Sequence, residues 1–446
     1  MRNRFLNMWA LLLIGLGSMI SLGCGDEEIV EVTVDLPPLP TPTYTEGHLT
    51  QAQRGIALDS DDLAVVNSMA GGTGISGPEI SEHFGLLVLN RPYVDWRITR
   101  CPGQNEAGAT KPLPKTESLL MEFAGRDVTS DRIAINVDLL TPGRRALLYV
   151  CFESGAPVGR FDVPEHRAAV IDAFVDLASL PNLAYITVGM EMNRYYHLLD
   201  EEGRTLYDDY SNYITLYRDV YDAIKEVNPE IKVGPGISWA VFRNQTMPQV
   251  AEELGKGEAA TTEILDTFVG ANGHEVAFRA YERTVKPLIV SGRGDARRIT
   301  ADYIGVTMQP FHREPPFNGT PAPEDTTEFN KILDYYRWLS ILTIEATEEH
   351  PIPYVFPQVD WPERAAGSKK DGFLQTLKYA VSGLDVEWMA WRRFSDLPTT
   401  PIDASKCKQY TGASDPALSY SQDYCTGGLL DANGVRRSVF DTFVAN

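Results

Sequence analysis

From about residue 84 to the C-terminus, short apolar β-like runs alternate with segments whose apolar residues recur at helical spacing. Such alternation marks repeated βα units around a parallel sheet. Residues 85–90 read as a first strand and residues 146–152 as a third. For the second, residues 118–123 and 132–137 are both β-like and compete. Residues 183–193 form a fourth, residues 231–239 a fifth, residues 301–310 a sixth, residues 351–361 a seventh and residues 386–396 an eighth. Helical periodicity fills the intervals, as over residues 164–180, where Val170, Phe174 and Leu177 share a face, and over residues 210–227, stopped by Asn228-Pro229. Eight units predict an α/β fold, a (β/α)8 TIM barrel forming one large domain over residues 84–446.

The chain before the barrel has a different character. Arg2 and Arg4 precede a mainly apolar stretch from Trp9 to Ile20, followed by Ser21-Leu22-Gly23-Cys24. This is a secretory signal pattern, too short for an ordinary membrane span. Residues 1–23 are read as a signal peptide. The Gly23-Cys24 junction resembles a bacterial lipobox, which implies a lipid on Cys24 and an exported protein held at the cell envelope; plain secretion is the alternative. Residues 24–50 turn proline-rich at Pro37-Pro38-Leu39-Pro40-Thr41-Pro42, a semi-rigid spacer beside such an anchor. Residues 51–83 are read as an N-terminal extension. Its Gly71-Gly72-Thr73-Gly74 lacks the Gly-Lys-Ser/Thr ending of a phosphate loop and reads as a surface loop.

Charge and cysteine usage exclude several functions. The formal net charge of −21 argues against nucleic acid, whose phosphates need clustered Lys and Arg. Export permits disulfides, and besides Cys24 the chain holds Cys101, Cys151, Cys407 and Cys425, which admit three pairings. Cys407 and Cys425 flank a turn-rich loop they could staple, whereas Cys151 lies in an apolar run. No Cys-x-x-Cys or His-x-x-x-His spacing supports a metal, no Gly-x-Ser-x-Gly elbow supports a serine hydrolase, and nothing supports a dinucleotide or phosphate cofactor.

In a barrel of this type chemistry sits where strands end. The fourth run ends in Gly189-Met190-Glu191-Met192-Asn193, the seventh in Gln358-Val359-Asp360-Trp361. Glu191 and Asp360 are the candidate catalytic carboxylates. Gln358, Asn193, Tyr196, Trp239, Phe311, His312, Trp361 and Trp391 also fall at strand ends and are candidate substrate-binding residues. Aromatic faces suit the C–H faces of sugars, although a single aromatic is more often packing. For Glu191 the bland reading is an ion pair with Arg194, for Asp360 or Asn193 a turn cap.

These motifs, in this order, resemble the retaining glycoside hydrolases of clan GH-A, most nearly the arabinogalactan endo-β-1,4-galactanases. Gly189–Asn193 is similar to their Gly-Asn-Glu-Ile-Asn, whose Glu is the acid/base. Asp302-Tyr303-Ile304-Gly305-Val306 with Pro310-Phe311 resembles their sixth strand. Ala390-Trp391 with Phe394 and Asp396 resembles an eighth strand whose Trp floors the sugar site, and Gly427–Gly434 resembles the run before their last helix. The resemblance implies action on, or binding of, an extracellular polysaccharide or oligosaccharide. Two positions depart from it: Met190 replaces the Asn before the acid/base, and Gln358 stands where the nucleophilic Glu belongs.

Retaining cleavage needs carboxyl groups about 5–5.5 Å apart and inverting cleavage about 6.5–9.5 Å. Asp360, about 6–7 Å farther along its strand than Gln358, suits a water-activating base; a substrate N-acetyl group could also replace the nucleophile. Two functions follow: a glycoside hydrolase with Glu191 as general acid/base, or a non-catalytic glycan-binding or scaffold lipoprotein that lost the nucleophile.

Overall fold

The structure, a computed structural model, describes residues 48–67, 74–92, 112–139, 151–153, 156–158, 161–162, 164–197, 207–256, 271–292, 296–308, 351–360, 369–396, 427–431 and 433–445. Eight parallel strands close a barrel: β1 (Arg54–Ala57), β2 (Leu86–Pro92), β3 (Ile133–Asp138), β4 (Leu183–Val188), β5 (Lys232–Ser238), β6 (Ile304–Thr307), β7 (Tyr354–Val359) and β8 (Val386–Trp391). Each pairs with its neighbours in sequence, and β1 closes on β8 through Arg54↔Met389 and Ile56↔Trp391. The (β/α)8 fold expected from the alternation is therefore the fold observed.

The strand count needs two corrections. Arg54–Ala57 is the first barrel strand, inside the segment read as an extension, so the barrel begins near residue 54 rather than 84. Residues 85–90 belong to the second strand. Residues 132–137 belong to the third, while residues 118–123 lie within a helix, α1 (Pro112–Ala124). The third strand expected at residues 146–152 is absent from the barrel: Cys151–Glu153 pairs antiparallel with Ala156–Val158 in a separate hairpin. One strand missed and one misplaced cancel, so β4 to β8 keep their order.

Alternation builds two cores. Inward residues form one: Leu86 and Val88 of β2, Ala134 of β3, Tyr185 of β4, Tyr303 just before β6, Val355 of β7, Trp388 and Ala390 of β8. Gly234 on β5 makes room for Tyr303, because a Cβ there would stand 2.5 Å from the Tyr303 ring. Outward residues such as Ile186, Val188 and Trp391 pack under the helices. Helix α2 (Pro164–Ala178) buries Val170, Phe174 and Leu177, and α3 (Tyr207–Val227) buries Tyr210, Tyr213, Tyr217, Val220 and Ile224. Spacings of three and four residues set these on one helical face. At the far end of the chain, α4 (Lys369–Val381) and α5 (Ser438–Val444) are joined through Asp371, which accepts from Ser438 and Thr442.

Candidate functional site

The C-terminal ends of the strands gather the site. After β4 the chain turns through Gly189 at φ +78° and Glu191 at φ +55°. The left-handed region is uncommon for a residue with a Cβ, and it recurs at functional positions. Gly236 on β5 permits the turn, since a Cβ there would lie 2.6 Å from the Gly189 carbonyl oxygen. Passing over β5, the Glu191 carboxylate reaches β6, where Thr307 Oγ1 donates to Oε1 at 2.6 Å. Arg194, one turn on in the 3-10 helix Met192–His197, pairs with Oε2 at 2.9 Å. Both side chains are buried, at 1% and 4% exposure. The bland reading of Glu191 as an Arg194 partner and its position at the mouth therefore hold together.

A β-bulge sets the other candidates. Phe356 faces Met389 and Val359 faces Trp391, so β7 carries one residue more than β8 between these points. A bulge re-aims side chains, and here it turns Gln358 inward. Its Nε2 donates across the barrel to Asn90 Oδ1 at 3.0 Å. Two residues on, Asp360 continues the inward row and pairs with Arg392 at 3.0 Å, both side chains 6% exposed. Asp360 Oδ1 lies against Gly427, where a Cβ would come within 2.6 Å, and has no hydrogen-bond partner among the described residues. Burial pushes the Asp360 carboxyl above the usual carboxylate range, against the pull of Arg392, Lys370 and Arg393.

The remaining candidates divide. Asn193 is buried, and its amide is spent on Ser238 backbone: Nδ2 donates to the carbonyl at 2.9 Å and Oδ1 accepts from the N–H at 2.7 Å. It ties the turn after β4 to the end of β5. Trp239 is fully buried with the Arg243 guanidinium 5.5 Å over its ring. Tyr196 packs edge-on against Tyr210 of α3 at 5.5 Å. Trp391, expected to floor a sugar site, faces outward instead: it sits in register with Ile56, donates to the Gly427 carbonyl at 2.6 Å and meets Phe443 of α5. Neighbouring Ala390 holds the inward place, so alternation forces the indole out. Phe311, His312 and Trp361, with Cys24, Cys101, Cys407 and Cys425, lie outside the described residues.

Several residues at or beneath the mouth were not singled out from sequence. Asn90, Asn136, Thr187 and Tyr303 form a neutral chain of hydrogen bonds leading to Gln358. Their signal is a polar residue at an inward position of an otherwise apolar run. His197, beside Arg194, bonds Thr246 at 2.8 Å, and burial with the Arg194 charge pulls its pKa down to about 4. On the far side Asp62, beyond β1, takes hydrogen bonds from the Ser395 N–H and hydroxyl. Burial and Asp59 push it up to about 7 against the pull of Arg393. Among the described residues no cluster of His, Cys, Asp and Glu could hold a metal ion.

No protein-family model matches the sequence, and no curated protein is similar to it. Solved structures share its architecture. An exo-β-1,4-mannosidase from Opitutaceae bacterium strain TAV5 aligns with a TM-score of 0.52 at 14% identity, over 90% of this chain and 60% of that one. A GH5_18 protein from Streptomyces cattleya, in complex with GlcNAc, gives 0.52 at 13% identity over 89% and 80%. Another from Bifidobacterium longum subsp. longum gives 0.50 at 10% over 89% and 78%. This chain spans less than two-thirds of the mannosidase's length. At such identities the likeness is one of fold: this chain carries the closed parallel barrel of these glycoside hydrolases.

Proposed function

We propose that this protein is an exported, Cys24-lipidated cell-envelope protein that recognises an extracellular glycan at the barrel mouth without retaining hydrolysis. The observation that carries the reading is Gln358. Double displacement needs a nucleophilic carboxylate, which in the enzymes these motifs resemble ends the seventh strand, and here an amide bonded to Asn90 stands at that position. Support for a glycan comes from the motif resemblance and from fold neighbours that include a mannosidase and a GlcNAc complex.

One observation favours hydrolysis as a second reading. Asp360 has a buried oxygen without a hydrogen-bond partner among the described residues and a raised pKa, so it could hold and supply a proton as a general acid must. The test is retention on, and sugar release from, β-1,4-galactan, β-1,4-mannan and Manβ1-4GlcNAc, comparing wild type with Glu191→Gln and Asp360→Asn. Retention with no release by any form is the expected result. Release by wild type that vanishes in both variants establishes the hydrolase. Neither retention nor release removes the glycan reading.

A further inference from the structure

The direction of the amide chain under the mouth is dictated by one backbone carbonyl. Asn136 Nδ2 faces the Pro357 oxygen at 3.4 Å and Asn90 Oδ1 at 2.9 Å. A carbonyl only accepts, so the Asn136 group facing it must be the NH2. Its other end agrees, since Oδ1 accepts from Thr187 Oγ1 at 2.8 Å. Facing an NH2, Asn90 must present its oxygen; facing that oxygen, Gln358 must present its own NH2, at 3.0 Å. Three side-chain amides are thus oriented in sequence from a single group that cannot turn.

Two consequences follow. First, Asn90 Oδ1 accepts twice while its Nδ2 has no partner among the described residues. Asn90 continues the inward row of Leu86 and Val88 in the C-terminal half of the strand, where it is partly exposed, so its unpartnered donor is the group left for a ligand. Second, position 358 is wired for a donor. A carboxylate there would oppose Asn90 Oδ1, and turning Asn90 to answer it would set two NH2 groups face to face at Asn136.

We propose that Asn90 is a ligand-binding residue of the mouth, donating from Nδ2 to a hydroxyl, ring or N-acetyl carbonyl oxygen of a neutral glycan, with Gln358 and Asn136 as the positioning residues that aim it. The proposal rests on the glycan reading and sharpens it. Every member of the chain (Asn90, Asn136, Thr187, Tyr303, Gln358) is uncharged. An acceptor oxygen is what the outward donor selects, and sugars carry such oxygens densely. Gln358 is then a built part of a binding site, not a vacant nucleophile position.

The experiment is calorimetric titration of the exported chain with β-1,4-galactan and β-1,4-mannan oligosaccharides. Asn90→Asp keeps the oxygen toward Asn136 and Gln358 and removes the outward donor. It is expected to weaken binding about tenfold or more with little change in melting temperature. Gln358→Met is expected to weaken binding by itself and to add no further loss in the Asn90→Asp background, since it acts through Asn90. Gln358→Glu is expected to bind weakly and release no sugar. Affinity within about twofold of wild type for Asn90→Asp, additive losses in the double variant, or sugar release by Gln358→Glu each overturns the proposal. A wild-type chain that binds neither oligosaccharide removes the glycan reading and this one with it.

Discussion

The two ends of the barrel answer the same electrostatic problem differently. At the N-terminal end Lys232 pairs with Glu387, whose other oxygen accepts from the Tyr185 hydroxyl at 2.8 Å. Arg132 and Lys232 lie over the Tyr185 ring at 5.2 and 5.9 Å. Burial pushes the Glu387 carboxyl up, but the bonds from Lys232 and Tyr185 outweigh it and hold the group below its usual range. At the C-terminal end the balance reverses. Asp360 has a guanidinium at 3.0 Å and is still held above its usual range, because it is far more deeply buried. At the base both Glu387 oxygens are partnered and the ion pair is partly exposed; at the mouth an oxygen of Asp360 is buried without a partner among the described residues. This is the division expected of such barrels, stability at the bottom face and function at the top.

The comparison breaks first at Arg392. Removing one partner of a buried ion pair leaves the other charge desolvated, at a cost of about 3–5 kcal/mol. Arg392→Met is expected to lower unfolding stability by that amount in urea titrations. Adding Asp360→Asn should restore most of the loss, because no charge is then left buried. A loss below about 1 kcal/mol would mean that the mouth is as well hydrated as the base.

A second test uses pH and separates the two sides of the mouth. The folded chain keeps His197 neutral down to about 4, from an ordinary 6.5. Unfolded chains take up that proton earlier, so this contribution is present above pH 6.5 and is lost as pH falls toward 4. Asp62 behaves oppositely. Its folded pKa of about 7 lies above the ordinary 3.8, so its contribution is full below pH 3.8 and is lost as pH rises through 7. The His197 contribution is worth up to about 3 kcal/mol and that of Asp62 up to about 4 kcal/mol. Replacing His197 by Asn should leave a profile that declines from pH 4 to 7, and Asp62→Asn one that climbs from pH 4 to 6.5. Denaturation midpoints across that range measure both. Parallel profiles for the two variants would contradict the assignment of opposite environments.

How far the sequence carried this picture depends on which forces were local. Strand β4 was legible because Leu183–Val188 is a near-continuous apolar run, broken only by Thr187, as a strand buried on both faces requires. Strand β1 was not: Arg54-Gly-Ile-Ala is four residues long and contains a glycine. Its place is set by partners more than 300 residues away on β8, and Gly55 is tolerated there because a Cβ would press on Val88 and Ala390. For the site, strand ends located Glu191, Gln358 and Asp360. Facing was harder to read. The bulge that turns Gln358 inward comes from pairing with β8, and the outward aim of Trp391 from the register of a strand that had not been recognised. Asn90 and Asn136 were passed over because amides inside apolar strands look like interruptions until their partners are seen.

The smallest expected effect is at the base, and it sharpens the contrast by failing to be large. Lys232 is 41% exposed and Glu387 22%, so water already screens much of their attraction, and a pair of this kind contributes about 0.2–1 kcal/mol. Lys232→Met is therefore expected to cost no more than about 1 kcal/mol, since Tyr185 still serves one oxygen of Glu387 and solvent reaches the other. The same exposure makes the pair sensitive to ionic strength, with a Debye length near 10 Å at 0.1 M salt and 3 Å at 1 M. Raising salt should erase most of the difference between wild type and Lys232→Met while leaving that between wild type and Arg392→Met almost intact, because ions do not penetrate to Asp360. If both differences shrink together in urea titrations at the two salt concentrations, burial is not what distinguishes the ends of the barrel.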